Sequence, residues 1–144
     1  MSMLEWSKSL ELGVEKMDAT HREFVDLLNA LAVVPDGEFL TLLDEFIAHS
    51  VEHFEQEKRW MTQIPFPPLH CHTAEHDGVL EAMRETRQYV QDGRVDVGRV
   101  LARELAPWFA SHASTMDTML AHALKVSGID PDHAPASQAE SANA

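Results

Sequence analysis

Apolar residues recur at three- and four-residue intervals through most of the chain, and clusters of turn-forming residues interrupt that rhythm. This spacing is that of helices with one buried face. A first helix is predicted from about Asp18, offered by the pattern as an N-cap, to Val34, with Phe24, Leu27, Leu28 and Leu31 on one stripe. Pro35-Asp36-Gly37 ends it. A second helix follows over about 38–62, with Phe39, Leu42, Leu43, Phe46, Ile47, Phe54 and Met61 facing inward. IPFPP at 64–68 then breaks the chain, because proline lacks the donor that a helix interior needs. A third helix covers about 69–91, marked by Val79, Leu80, Met83 and Val90, and stops at Gln91-Asp92-Gly93. The fourth runs from about Asp96 to Ser127, carrying Val97, Val100, Leu101, Leu105, Trp108, Met119 and Leu124. Pro107 predicts a bend or local break in it, and Gly128 a natural stop.

Short connections between long helices favour antiparallel neighbours. The expected fold class is therefore all-α, an up-down-up-down antiparallel four-helix bundle within residues 1–128. Residues 1–17 are expected to form an arm that packs Leu4, Trp6 and Leu10 onto the bundle. The segment 129–144 has no periodicity and is expected to be a disordered tail. No strand signal is present.

Composition narrows the function. A chain of 144 residues fits one domain with a real core. A net charge of −13 argues against nucleic acid and against an anionic membrane surface as partners. No apolar run approaches the roughly 20 residues that span a bilayer. MSMLEWSK lacks a basic segment followed by an apolar run, and the single cysteine, Cys71, forms no internal disulfide, so the cytoplasm is the expected compartment. Nine histidines against one tyrosine hint at metal.

Several histidines and carboxylates fall on the inward stripes: His21 on the first helix, His53 and Glu57 on the second, His72 and His76 on the third, His112 and nearby Asp117 on the fourth. In an antiparallel hairpin, residues equally far from the turn lie at one level. His21 lies 14 residues before Pro35, and His53 lies 16 after Gly37. Glu57 lies 7 before Ile64, and His76 lies 8 after Pro68. His76 lies 16 before Asp92, and His112 lies 18 after Arg94. The mismatches correspond to about 1.5–3 Å of helical rise, less than one turn. HxxxE and HxxxH place both members on one face, since residues four apart differ by only about 40°. His112 and Asp117 are five apart, about 140° in a straight α-helix. Either Asp117 approaches from the side, or the helix is locally underwound as in a π-bulge.

Taken singly, each of these residues has an ordinary structural explanation. Together they would bury five imidazoles and two carboxylates, a costly arrangement without compensation, so a metal site is expected. His70 and Cys71 belong on the periphery, because residues two apart cannot both face inward. His49 shares a stripe with His53 and Glu57, one turn away; it either orients a ligand or packs as a core histidine, and packing is favoured. His122 and His133 look unremarkable.

The arm with Trp6, MDATH with His21, HFEQE with His53 and Glu57, HTAEH with His72 and His76, and WFASHASTMD with His112 and Asp117 together resemble the hemerythrin family over roughly residues 3–125, the bacterial members most closely. The resemblance implies an oxo- or hydroxo-bridged pair of iron ions that binds dioxygen reversibly. Glu57 and Asp117 would bridge. His72, His76 and His112 would complete one iron, while His21 and His53 would leave the other an open position for O2. Trp108, Phe24, Phe54 and Ala113 would line the oxygen pocket, although plain core packing explains Trp108 equally well. Five imidazoles with two carboxylates differ from the Glu-x-x-His sets of carboxylate-rich di-iron enzymes, which favours a carrier over an oxygenase. The expectation is thus a binding protein for O2 storage, delivery or sensing, with no catalytic residue and a protein partner for oxygen or electrons. The alternative is a di-iron redox enzyme (oxidase, peroxidase or nitric oxide scavenger) or an oxygen or redox sensor. One departure stands out: the family usually places a bulky aliphatic residue after the fourth helix's histidine, where this chain has Ala113, Ser114 and Thr115. A roomier or wetter pocket, and faster oxidation to the unreactive diferric state, are expected.

Overall fold

The interruptions expected from proline and glycine fall between the helices of the computed structural model, which describes residues 3–131. Helix α1 spans Glu15–Val33, α2 Asp36–Gln63, α3 Leu69–Gln91 and α4 Val95–His112. A π-helical turn, Ala113–Asp117, joins α4 to α5, Thr118–Ser127. Gly93 and Gly128 adopt φ of 95° and 75°, the left-handed conformation that lets the chain leave α3 and α5. Each helix packs on the next and α1 closes the ring against α4, giving the four-helix bundle, with no strand among the described residues. The expected tail beyond residue 131, with His133, lies outside the described residues.

Three interior features position the site. Leu10 is buried, while Leu4 and Trp6 are partly buried against the core, as the arm was expected to pack. Asn29 of α1 ties the arm down: its Oδ1 accepts from the backbone N–H of Met3 and Leu4 at 2.9 and 3.1 Å, and its amide donates to the Leu4 carbonyl at 2.7 Å. At the far end of α4, Arg99 donates to the carbonyls of Leu31 and Val34 at 3.2 and 2.7 Å, satisfying acceptors that the end of α1 leaves free. Between them, the apolar interior is divided in two. One cluster contains Phe24, Phe39, Phe46, Phe54, Met83, Leu105 and Phe109; the other contains Val14, Met17, Trp60, Met61, Ile64, Phe66, Leu120 and Leu124. Along the chain, His21, Glu57 and Asp117 fall between members of the two clusters, while His53 and His112 sit at the border of the larger one.

Five expectations need correction. Asp18 does not cap α1, which begins three residues earlier at Glu15. It is buried, and its carboxylate accepts from the backbone N–H of Leu12 and Gly13 at 2.8 and 3.1 Å, so it ties the preceding turn to the helix. The fourth helix is not continuous to Ser127, and its break falls at Ala113–Asp117, with α4 running through Pro107. The inserted residue of the π turn advances the buried stripe by one, so the position seven after His112, Met119, is 54% exposed while Leu120 is fully buried. Val100 is 42% exposed, because the stripe of α4 runs through Gly98, Leu101, Ala102, Leu105, Ala106 and Phe109. Finally, His49 is only half-buried, with its ring 5.8 Å from that of His53 beside a small cavity lined also by Thr20, Glu23, Glu52 and Gln56.

Candidate metal centre

The structure brings together His21, His53, Glu57, His72, His76, His112 and Asp117, all of them buried. Glu57, His72, His76, His112 and Asp117 each offer a donor atom within 4.8 Å of the others, and His21, His53 and Glu57 do the same. His70, Cys71 and His122 are exposed and stand outside. The HxxxE of α2 and the HxxxH of α3 converge by ordinary helical geometry. His112 and Asp117 converge because the turn between them is π-helical, where residue i+5 takes the place that i+4 has in an α-helix. Local hydroxyls support that turn: Thr115 Oγ1 donates to the Ser111 carbonyl at 2.7 Å and Thr118 Oγ1 to the Ala113 carbonyl at 2.9 Å.

The carboxylates divide their oxygens between two groups of imidazoles. Glu57 Oε2 lies 3.3 Å from His21 Nε2 and 2.9 Å from His53 Nε2, while its Oε1 lies 3.2 Å from His72 Nε2 and 3.4 Å from His76 Nε2. Asp117 Oδ2 lies 3.3 Å from His21 Nε2, and Oδ1 lies 3.0 Å from His72 Nε2 and 3.2 Å from His112 Nε2. His76 Nε2 faces His112 Nε2 at 3.0 Å. Despite these approaches, His72 Nε2, Glu57 Oε1 and both Asp117 oxygens are buried without a hydrogen bond. Lone pairs so close, and not bonded to one another, aim at a third body. A cation about 2.1 Å from each of two neighbouring donors would set them about 3.0 Å apart in an octahedral shell, so the donor set fits metal.

Electrostatics gives the same answer. Burial works against charge on His21, but the close approach of the Asp117 and Glu57 carboxylates overcomes it and raises its pKa to about 10. The same opposition brings His72 to about 9, and His112 is raised too, chiefly by Asp117. Burial dominates at His76, which falls to about 3. Burial tends to raise Glu57 and Asp117, as does the charge of Glu57 for Asp117, yet the surrounding imidazoles hold both carboxylates below their usual range. Without a cation, protons on some histidines must offset two buried negative charges.

Aromatic rings enclose the cluster. Phe54 stacks on His76 at 3.9 Å between centroids, and Trp108 on His112 at 4.7 Å. Phe24 meets His53 edge-on at 5.9 Å and Phe109 meets His21 edge-on at 5.2 Å, with the two phenyl rings stacked at 4.7 Å. Ala113 is buried next to His112 in sequence. Phe109 and Glu75 escaped the sequence reading. The signal for Phe109 was available, four residues after Leu105 on the inward stripe. Glu75, whose Oε1 lies 2.8 Å from His112 Nδ1, gave none, because its partner is on another helix.

A four-helix bundle built around a buried histidine–carboxylate cluster suited to metal is thus the class of protein that the fold and site define. The family model described as the hemerythrin HHE cation binding domain matches residues 12–124. The chain belongs to the hemerythrin family. Bacteriohemerythrin of Ralstonia nicotianae is 45% identical over 130 residues, covering 90% of this chain and 95% of that protein. Bacteriohemerythrin of Aquifex aeolicus is 30% identical over 124 residues, covering 82% and 95%. A crystal structure of wild-type hemerythrin shares the fold with a TM-score of 0.77 at 23% identity, over 84% of this chain and 97% of that one. No helix among the described residues is long and apolar enough to cross a membrane.

Proposed function

We propose that the protein binds dioxygen reversibly, for storage or local delivery, at two iron ions held by His21, His53, Glu57, His72, His76, His112 and Asp117. The observation that carries this reading is the division of the carboxylates, each with one oxygen toward His21 and the other toward His72. Carboxylates placed so would be able to serve two metal ions at once, one through each oxygen. Bound iron would supply the electrons and the vacant coordination position that no side chain offers to dioxygen. His72, His76 and His112 crowd one side with three imidazoles, whereas His21 and His53 leave the other with two and therefore with room. Phe109 and Phe24 pack edge-on against His21 and His53 and give that side one apolar wall, the kind of surface that limits water and protons near a bound ligand. Phe54 and Trp108 hold two of the three opposing rings by their faces. We place the carrier in the cytoplasm, where the exposed thiol of Cys71 stays reduced.

The test is an optical spectrum of iron-loaded protein, reduced without air and then exposed to it. Visible charge-transfer absorption that appears with air and disappears under vacuum over repeated cycles is the expected result. A protein that stays colourless, or changes once and never returns, overturns the carrier. Steady consumption of peroxide or nitric oxide would move the site to redox catalysis.

A further inference from the structure

An imidazole that offers Nε2 to a cation carries its proton on Nδ1, and that proton needs an acceptor. The Nδ1 atoms of His21, His53 and His72 are buried with no hydrogen-bond partner. His112 differs. Its Nδ1 lies 2.8 Å from Oε1 of Glu75, which reaches across from α3 to the last residue of α4. Its Nε2 is turned to the cluster, 3.2 Å from Asp117 Oδ1. Trp108 lies on its face, with 17° between the planes, so the ring is fixed both at its edge and on its face. The place matters, because the backbone leaves α-helical geometry at the next residue, Ala113. A ring at that junction has no regular helix after it to hold its direction.

We infer that Glu75 is a positioning residue of the metal centre: it selects the tautomer and orientation in which His112 presents Nε2, and so makes the three-histidine position the tighter of the two. This rests on the proposed metal-binding role of the cluster. Glu75 is suited to the task because its side chain is 34% exposed, so replacing it leaves no buried charge behind, while the ring it holds is almost wholly enclosed. A carboxylate acceptor also strengthens the opposite nitrogen as a donor, since partial transfer of the Nδ1 proton makes the ring more basic.

The experiment compares release of metal to excess chelator from the full-length protein loaded with zinc, in the wild type, Glu75→Ala, Glu75→Gln and a control at an exposed carboxylate of the same helix, Glu81→Gln. Zinc separates the question from oxygen chemistry. In the wild type, the position with two imidazoles should empty first and the one with three more slowly. Glu75→Ala should speed the slow phase about 10-fold or more, within the range usual for residues that orient a ligand. Glu75→Gln keeps a carbonyl acceptor and should recover most of the loss, and Glu81→Gln should behave as wild type. Unchanged release from Glu75→Ala overturns the positioning role, and so does equal acceleration of both phases, which would mean a general loosening of the bundle. A wild type that takes up no zinc and no iron overturns this inference and the metal reading beneath it together. A wild type that binds both metals while Glu75→Ala releases them normally overturns this inference alone.

Discussion

Raising the pH of the metal-free protein should cost it stability, and filling the site with metal should abolish that cost. In the metal-free bundle the buried charges of Glu57 and Asp117 are offset by protons on His21 and His72, whose pKa values rise from 6.5 to about 10 and about 9. In the unfolded chain these histidines titrate near 6.5. Because the folded value is the higher, the folded state binds more protons, and the stabilisation is complete below about pH 6.5 and lost as the pH climbs through about 9 for His72 and about 10 for His21. Each histidine contributes a slope of at most about 1.4 kcal/mol per pH unit in that window, so the pair reaches about twice that. Against a total stability of about 5–15 kcal/mol for an ordinary domain, two pH units would be plainly visible. His76 adds nothing there, because its depressed pKa acts only below about 6.5. A divalent cation replaces the protons, so the loaded protein should lack the slope. Urea denaturation at about pH 6.5, 7.5 and 8.5, with metal-free and loaded samples compared at each pH, cancels the titration of surface groups. Parallel pH dependence in the two forms would refute the idea that protons stand in for metal.

Three substitutions probe other parts. At Gly98 an added Cβ would meet the ring of Phe39 and lie 2.8 Å from Val90 Cγ2, so Gly98→Ala should destabilise by about 1–2 kcal/mol in urea denaturation, the crowding exceeding the gain of about 1 kcal/mol in helix propensity; equal or greater stability would contradict the close packing of α4 on α2 and α3. Ala113→Ile should slow oxidation of the oxygenated, iron-loaded protein, read as the decay of its visible absorption in air, and an unchanged rate counts against a pocket left roomy by alanine. Deleting Ser114 turns the His112–Asp117 spacing into an α-helical i+4 pair and keeps Leu120 on the buried stripe, so metal content after dialysis should stay within about twofold of wild type; loss of metal would show that the π turn itself, and not the convergence it provides, is required.

What could be read from the sequence followed from local chemistry. Pro68 and Gly93 bracket α3, and its expected range of 69–91 coincides with Leu69–Gln91. The i,i+4 pairs on α2 and α3 needed only helical geometry to be placed on one face. The phase slip after His112 is not decided by the sequence, because a π turn has no composition of its own; the hydroxyls of Thr115 and Thr118 that support it read as an ordinary polar surface. Asp18 looked like a cap because it precedes an apolar stripe, and only the fold of the arm shows that its carboxylate serves Leu12 and Gly13 instead. Glu75 was invisible for a related reason: a glutamate between His72 and His76 reads as solvent-facing until α4 brings His112 alongside.

The division of the interior has a mechanical consequence. Trp60, Met61, Leu120 and Leu124 belong to an oily layer separate from the one holding Phe24, Phe46 and Met83, and the charged belt lies where the two would otherwise fuse. On the proposed reading, a metal held by that belt would rivet the joint between two half-bundles, and the metal-free protein would lack the rivet. The end bearing α5 and the proline loop, anchored by the smaller layer, is where the empty protein should fray and first exchange its amide hydrogens.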